Sequence, residues 1–395
     1  MISCCRTFVF SCLRRENFIA RIVLTSVRTM ASEIPEESKC QNVYLGKSGL
    51  RVSNICLGTL TFGESNMGQP GQLDEAGSHA LLNRFSERGG NFIDTANVYG
   101  RGRSERIIGS WLASQQRDRF VIATKVFFPM DRSNPNSMGL GRRHIMDSVE
   151  QSLKRLKTDY IDLLQTHVWD DATPLEETLM TMNDLVRSGK VRYVGASNVT
   201  GWQLQRIVEL NKQMGFNACI SLQQYSLVCR ESEQDTFQAC KLNGVGVLPW
   251  SPLKGGFLTG KVRRGQKPQE GRLAWSADDD TLELQSAPTW AQLNKTTNWT
   301  ALEAAEKIAK AKGKSVAQVS LRWLLQKSVV SSVIIGATKM HQLDDNMDAS
   351  NGWTLSEEEM RQLDEASQPE IPYPYELIRR LNVRRNNPWN ATGYV

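Results

Sequence analysis

Eight short apolar runs recur along the chain, each bounded by turn or polar residues: Ile55–Leu60, Asn91–Ala96, Phe120–Val126, Ile161–Thr166, Val191–Ala196, Ala218–Gln223, Val245–Trp250 and Val330–Ile335. Runs of six or seven residues rich in Val, Ile and Leu read as buried strands. Between them the apolar positions switch to the helical period. Ile145, Val149, Leu153 and Leu156 fall on one face of the segment from Arg142 to Lys157. Thr173-Pro174-Leu175-Glu176 has the form of a capping box with Pro at the first helical position, and Gly189 closes that helix. Thr200-Gly201-Trp202-Gln203 is a second such box. Ahead of the first run, Val43-Tyr44-Leu45 and Leu50-Arg51-Val52 flank a Gly-Lys-Ser-Gly turn and predict a β-hairpin. Strand followed by helix, eight times over, predicts an α/β protein, a closed (β/α)8 TIM barrel. A doubly wound sheet is the alternative, but no Gly-x-Gly-x-x-Gly follows the first strand.

Two stretches break the alternation. Residues 254–297, after the seventh strand, form a long insertion rich in Lys, Arg, Gly and Asp, and loops of that length are usually functional or disordered. The tail from Pro369 is rich in Pro, Tyr and Arg and reads as an irregular arm. The organisation is therefore a leader over 1–30, a barrel over 43–367 and a basic tail over 368–395.

Composition narrows the class. With 395 residues, 40% hydrophobic and 23% charged, the chain is globular, and no apolar run is long enough to span a membrane. The net charge of +6 is unevenly placed: residues 1–30 carry +4 and residues 376–395 carry +3, leaving −1 for the 345 between them. A neutral body has no basic stripe for nucleic acid. Arg6, Arg14, Arg15, Arg21 and Arg28 alternate with apolar and Ser residues, with Glu16 the lone acid. That composition is a mitochondrial transit peptide's, against a disordered leader or upstream sequence bypassed by starting at Met30, so the expected compartment is mitochondrial or cytoplasmic. The eight Cys show no CxxC pair and read as reduced, inert thiols, and four His without paired spacing predict no metal site. The four Asn-x-Ser/Thr sequons, at Asn198, Asn294, Asn298 and Asn390, read as chance matches.

In a barrel of this type, chemistry sits where the strands end. The second strand runs into Asp94-Thr95-Ala96-Asn97-Val98-Tyr99-Gly100, the third ends in Lys125, the fourth in Gln165-Thr166-His167 and the fifth in Ser197-Asn198. Asp94, Tyr99, Lys125 and His167 thus converge on one mouth. A Tyr is a poor acid at neutral pH; a neighbouring Lys would lower its pKa and an Asp would anchor that Lys. His167 could hydrogen-bond a carbonyl oxygen. Together they could protonate an oxygen that gains charge as hydride arrives at carbon. Taken singly, each has a bland reading as a turn cap, a half-buried ring or a surface residue.

Phe92-Ile93-Asp94-Thr95-Ala96 with Tyr99-Gly100, the segment Gly141–Lys157, Trp250-Ser251-Pro252-Leu253, and Ile335-Gly336-Ala337-Thr338 with Gln342-Leu343 and Asn346 resemble the motifs of the aldo-keto reductase family, in the same order. The resemblance covers residues 43 to 367 and is strongest to the branch related to voltage-gated potassium-channel β subunits and bacterial tas-like oxidoreductases. It implies reduction of aldehydes or ketones with NADP(H), with Tyr99 as general acid, Lys125 and Asp94 tuning it and His167 orienting the carbonyl. It further implies Ser197, Asn198 and Gln223 on the nicotinamide carboxamide, with Tyr225 stacked on the ring. Gly58, Thr59 and Asp94 would lie beside the cofactor. Trp250, Ser251, Pro252 and Leu253, with Lys261 and Arg272, would cover the pyrophosphate and 2′-phosphate side, where Lys339 offers a further cation. Gly336, Thr338, Gln342, Asp345 and Asn346 would line the adenosine pocket.

One spacing departs from the family's. Gln223 stands two residues before Tyr225, where the family has three, so either a bulge intervenes or the two side chains cannot both reach the ring. Phe62, Phe127, Phe128 and Trp169 lie just beyond strand ends and are the expected apolar wall for a small carbonyl substrate, with rim packing as the alternative. The rival function is a cofactor-bound, channel-subunit-like regulatory protein with little turnover; those channel subunits have Asn where His167 stands, and the expected protein partner is a further copy of the chain or a channel-like protein. The tail could serve a partner or a membrane surface, or be a solvated end.

Overall fold

The computed structural model describes residues 39–63, 72–215, 219–268, 272–275 and 289–382. The leader over 1–30 and the tail beyond Asn382 lie outside them. β1 (Asn42–Tyr44) and β2 (Arg51–Ser53) form the antiparallel hairpin. Eight parallel strands follow: β3 (Ile55–Gly58), β4 (Phe92–Asp94), β5 (Val121–Val126), β6 (Ile161–Thr166), β7 (Val191–Ser197), β8 (Cys219–Gln224), β9 (Val247–Trp250) and β10 (Val333–Ile335). β10 pairs with β3, and a parallel bridge between Val247 and Val330 brings the two edges of the sheet together. The predicted TIM barrel is the fold.

Helices stand between the strands: α1 (Glu75–Glu87), α2 (Arg103–Leu112), α3 (Arg142–Leu156), α4 (Leu175–Arg187), α5 (Gly201–Gln213) and α6 (Thr236–Asn243). After β9 come α7 (Trp290–Leu293), α8 (Thr296–Lys312) and α9 (Val316–Leu325), and after β10 come α10 (Met340–Met347), α11 (Glu357–Ala366) and α12 (Tyr375–Asn382). Ile145, Val149, Leu153 and Leu156 are all buried, as their spacing predicts. The Thr200–Gln203 box forms, with Thr200 N donating to Gln203 Oε1 at 2.8 Å. The Thr173–Glu176 box does not. Thr173 Oγ1 donates to Asp170 instead, and α4 begins after Pro174 with no side-chain cap. The arm expected to be irregular contains α12. The long insertion is also less polar than its composition suggests, because Phe257, Leu258, Val262, Leu273, Trp290 and Leu293 are buried.

The core has two shells. An inner cluster contains Cys56, Phe92, Ala123, Leu163, Ile220, Leu222, Leu248 and Ile334, together with Leu45 and Val52 from the hairpin. The hairpin therefore plugs the end of the barrel where the strands begin, which leaves the opposite end as the open mouth. Gly46, at φ +56, makes this closure: a Cβ there would stand 2.4 Å from the Gly246 nitrogen. The larger outer shell, which includes Ile55, Leu57, Ile93, Ile122 and Leu164, lies between strands and helices.

Candidate active site

Strand register decides which side chains enter the barrel. Paired residues of a parallel sheet point to the same face. Gly58 pairs with Asp94, Asp94 with Ala123, Ala123 with Leu163, and Leu163 with Tyr193. One step nearer the mouth, Lys125 pairs with Gln165, Gln165 with Gly195, and Gly195 with Ile220. Above these, Ser197 pairs with Leu222 and Leu222 with Leu248, then Gln224 with Trp250. Asp94, Lys125, Gln165, Ser197, Gln224 and Trp250 therefore all share the face of the inner cluster.

Lys125 is the centre of this arrangement, at 1% exposure. Its ammonium donates to Asp94 Oδ2 at 2.5 Å, to the Thr95 carbonyl at 2.9 Å and to the Tyr99 hydroxyl at 3.4 Å. An ammonium has three protons, and all three are used. Burial works against its charge, but the Asp94 carboxylate and then Tyr99 outweigh it and hold the Lys125 pKa above its ordinary value. Gln165 Nε2 donates to the second Asp94 oxygen at 3.1 Å, so both carboxylate oxygens have a donor. Behind β5, Thr124 donates to Glu105 at 2.7 Å and Arg155 pairs with the same buried carboxylate at 2.6 Å, which fixes the strand that carries Lys125.

His167 follows β6, its ring edge-on to Tyr99 with centroids 5.9 Å apart and to Phe128 at 5.0 Å. Burial, reinforced by the Lys125 charge, pushes its pKa down to about 3. The imidazole is therefore neutral, and its buried Nδ1 has no hydrogen-bond partner among the described residues. No ionisation of His167 should appear in a pH–rate profile between pH 5 and 8. An inflection near pH 6.5 that disappears in His167→Gln would contradict this. The same depressed pKa costs stability in acid: an unfolded His binds a proton below about pH 6.5 that the folded one refuses down to about pH 3.

The loops after β6, β7 and β9 are tied together by Asn198, which adopts φ +54. Its Nδ2 donates to the His167 carbonyl at 2.9 Å and to Ser197 Oγ at 3.0 Å, and its Oδ1 accepts from the Trp250 indole at 3.2 Å. Trp250 is half-buried and stands on the inner face at the mouth. Beyond it, Ser251 (φ +52), Lys254 (φ +47), Gly255 (φ +67) and Gly256 (φ +105) take left-handed conformations. The turn is closed on itself, with Lys254 N donating to the Ser251 carbonyl at 2.9 Å and Gly256 N to that of Leu253 at 3.0 Å, and the Lys254 side chain is buried within it. A Cβ on Gly256 or Gly336 would meet nothing within 4 Å. The aromatic face of Trp250 at the mouth and the Lys254 side chain in the turn beside it fit a nicotinamide dinucleotide.

Several expectations change. β8 pairs with β9 without a bulge, with Gln223 opposite Pro249 and Gln224 opposite Trp250. Gln223 thus faces away from the barrel interior and donates to Ser221 at 3.1 Å, and Gln224 is the inward amide. Tyr225 also faces outward, at 1% exposure, against Phe237 and Trp323, with its hydroxyl donating to Glu233 at 2.6 Å. A ring so enclosed cannot stack on a ligand at the mouth. Phe62 is likewise 1% exposed in the outer shell and forms no wall. Phe127 and Phe128 pack edge-to-face at 5.2 Å next to His167, and Trp169 is half-buried two residues beyond it.

Thr59 is buried, and its hydroxyl donates to the Asp94 carbonyl at 3.0 Å. Gln342 Oε1 accepts from Thr338 N, Thr338 Oγ1 and Lys339 N, and Asn346 donates to the Gly336 carbonyl at 3.4 Å, so these residues shape one turn. Asp345 points elsewhere: its carboxylate accepts from Ser315 and Gln318 at the start of α9. Pro252 is buried and Leu253 half-buried after Trp250, and Lys261 and Lys339 are exposed. The Arg272 side chain lies outside what the structure describes. Of the residues the sequence reading passed over, Gln165 was findable: it stands two before His167, on the same strand face, opposite Lys125.

The chain is similar to known proteins of one family. The model of the Aldo/keto reductase family matches residues 54–368. Norsolorinic acid reductase of Aspergillus flavus is 32% identical over 377 residues, covering 92% of each chain. The uncharacterized oxidoreductase YrpG of Bacillus subtilis is 37% identical over 317 residues, 78% of this chain and 90% of its own. Versiconal hemiacetal acetate reductase of Aspergillus parasiticus is 33% identical over 352 residues, 84% and 98% respectively. With a barrel of eight parallel strands and a buried Asp94–Lys125 pair against the half-buried Tyr99 at its mouth, the chain belongs to the aldo/keto reductase family of oxidoreductases, which act with a nicotinamide cofactor.

Proposed function

We propose that this protein reduces aldehydes or ketones to alcohols with NADPH. The observation that carries this reading is the Lys125 ammonium, sealed from solvent between Asp94 and the Tyr99 hydroxyl. The cofactor, when bound, supplies the hydride. The chain's own part is to place the carbonyl and deliver a proton. Tyr99 gives its hydroxyl proton to the substrate oxygen as charge develops there. Lys125 stabilises the phenolate left behind, at 3.4 Å, and Asp94 and Gln165 keep that ammonium charged and aimed. His167 stays neutral and orients the carbonyl oxygen through its ring, held by Tyr99 and Phe128. Phe127, Phe128 and Trp169 supply the apolar side of the substrate site.

Ser197, Asn198 and Gln224 stand where the nicotinamide carboxamide would be held, and Trp250 supplies the stacking face in place of Tyr225. Lys254 with the Gly255-Gly256 turn suits the pyrophosphate. Lys261, Arg272 and Lys339 are the cations for a 2′-phosphate, with Gly336, Thr338, Gln342 and Asn346 on the adenosine side. Trp250→Ala should weaken NADPH binding about tenfold, the worth of a lost stacking contact. Tyr225→Phe should leave it within about twofold while costing stability of about 1–2 kcal/mol for the lost buried hydrogen bond to Glu233. Fluorescence titration and thermal melts separate the two, and a loss of NADPH affinity in Tyr225→Phe would restore the stacking role to that residue.

His167 favours turnover over a purely regulatory, channel-subunit role, because that position in channel subunits is Asn. The reading is tested by following NADPH and NADH consumption over a panel of aldehydes and ketones. It expects turnover with NADPH well above that with NADH. Tight NADPH binding with no turnover across the panel would favour the regulatory reading.

A further inference from the structure

The loops that follow β6 and β7 carry two tryptophans that the proton-delivering cluster does not use. Trp202 lies in the first turn of α5 and is 65% exposed, an unusual state for so large an apolar ring. It does not stand alone: its ring meets Trp169 edge to face, with centroids 5.5 Å apart and planes at 66°.

Both rings sit on fixed backbone. The loop bearing Trp169 is anchored by Asp170, which accepts from Leu140 N at 2.6 Å, Thr173 Oγ1 at 2.7 Å and Ala172 N at 2.9 Å. The Trp169 indole nitrogen is itself tied to Asp171 at 2.8 Å, which sets the ring's orientation. On the other side, Gly201 N donates to Asp235 at 2.9 Å, and a Cβ at Gly201 would stand 2.8 Å from Asp235. The Thr200–Gln203 cap then holds the first turn of α5. An exposed ring on a mobile loop would be an accident of the surface. This one is presented by a capped helix against a partner that is also pinned.

The position of the pair connects it to the site. Trp169 is two residues from His167, Trp202 is four from Asn198, and Asn198 bonds the His167 carbonyl at 2.9 Å. We infer that Trp169 and Trp202 form an outer aromatic platform on the rim of the mouth, which selects flat carbonyl substrates of two or more fused rings. A short aliphatic aldehyde held between Tyr99 and His167 has no ring to lay on the platform. A fused-ring aldehyde offers a flat face that can cover the exposed Trp202 ring, which water otherwise meets. The rings use two rotatable bonds each, so the platform loses little freedom when it is covered.

This inference rests on the carbonyl-reduction reading only for its kinetic arm. That arm compares kcat/KM for 2-naphthaldehyde with kcat/KM for butanal, in the intact chain and in Trp202→Ala. The ratio is expected to fall about tenfold, mainly through KM for the naphthyl substrate. Trp202→Phe should restore part of it. The second arm needs no turnover: calorimetric titration with 2-naphthalenemethanol in the presence of NADP⁺ should show binding weakened about tenfold in Trp202→Ala. An unchanged ratio together with unchanged naphthyl binding overturns the platform. Absence of turnover with both aldehydes strikes at the proposed reaction instead, and the binding arm still decides the platform. Circular dichroism and a thermal melt confirm that the variant is folded, as expected for an exposed side chain.

Discussion

Tyr99→Phe removes one oxygen atom from the site and is expected to lower turnover by about 10²–10⁴-fold, the usual worth of a positioned general acid. Binding of NADPH should change little, because the ring remains edge-on to His167 and what is removed is the hydroxyl that faces Lys125. Folding should be equally tolerant: Lys125 retains Asp94 and the Thr95 carbonyl. The expected signature is thus a fall in kcat with an unaltered NADPH titration and melt. Steady-state rates within a few-fold of the parent would mean that another group delivers the proton.

Lys125→Met is expected to have the second large effect, and on two properties at once. It strips Asp94 of its counter-charge while leaving the carboxylate buried, with Gln165 as its sole side-chain donor among the described residues. Breaking a buried pair by removing one partner costs about 3–5 kcal/mol, which for a protein of this size lowers the melting temperature by roughly 4–6 °C. Turnover should be lost as well, since nothing then stabilises the Tyr99 oxygen as its proton leaves. Removing both charges, in Asp94→Leu with Lys125→Met, separates these properties: much of the melting temperature should return, because an apolar pair replaces an unpaired ion, and turnover should not. Recovery of turnover in the double variant would show that the pair serves the fold alone.

How far the sequence could be read depended on what each residue answers to. The barrel was legible because eight buried strands must each be written as an apolar run, and the helix from Arg142 to Leu156 because its buried face repeats at the helical period. Asp94, Lys125, Tyr99 and His167 were legible because polar residues ending apolar strands have few bland explanations in combination. Tyr225 was misplaced for a definite reason. Side-chain direction in a strand depends on register, and the single missing residue between Gln223 and Tyr225 turns both to the outer face, where Glu233, Phe237 and Trp323 receive the ring. Phe62 was misjudged because proximity to a strand end does not say on which side of the barrel wall a side chain falls. The Thr173–Glu176 box failed because Asp170, three residues earlier, captures the Thr173 hydroxyl. Trp202 carried a local signal for a helix start, and only its exposure and its contact with Trp169 give it another meaning.

The most direct measurement of the central claim is the stoichiometry of the reaction with 4-nitrobenzaldehyde, read as alcohol formed by chromatography against NADPH consumed by absorbance. The account predicts one 4-nitrobenzyl alcohol for each NADPH oxidised, in a reaction that Tyr99→Phe nearly abolishes. NADPH that binds the purified chain and is never consumed, or is consumed without alcohol appearing, would contradict it.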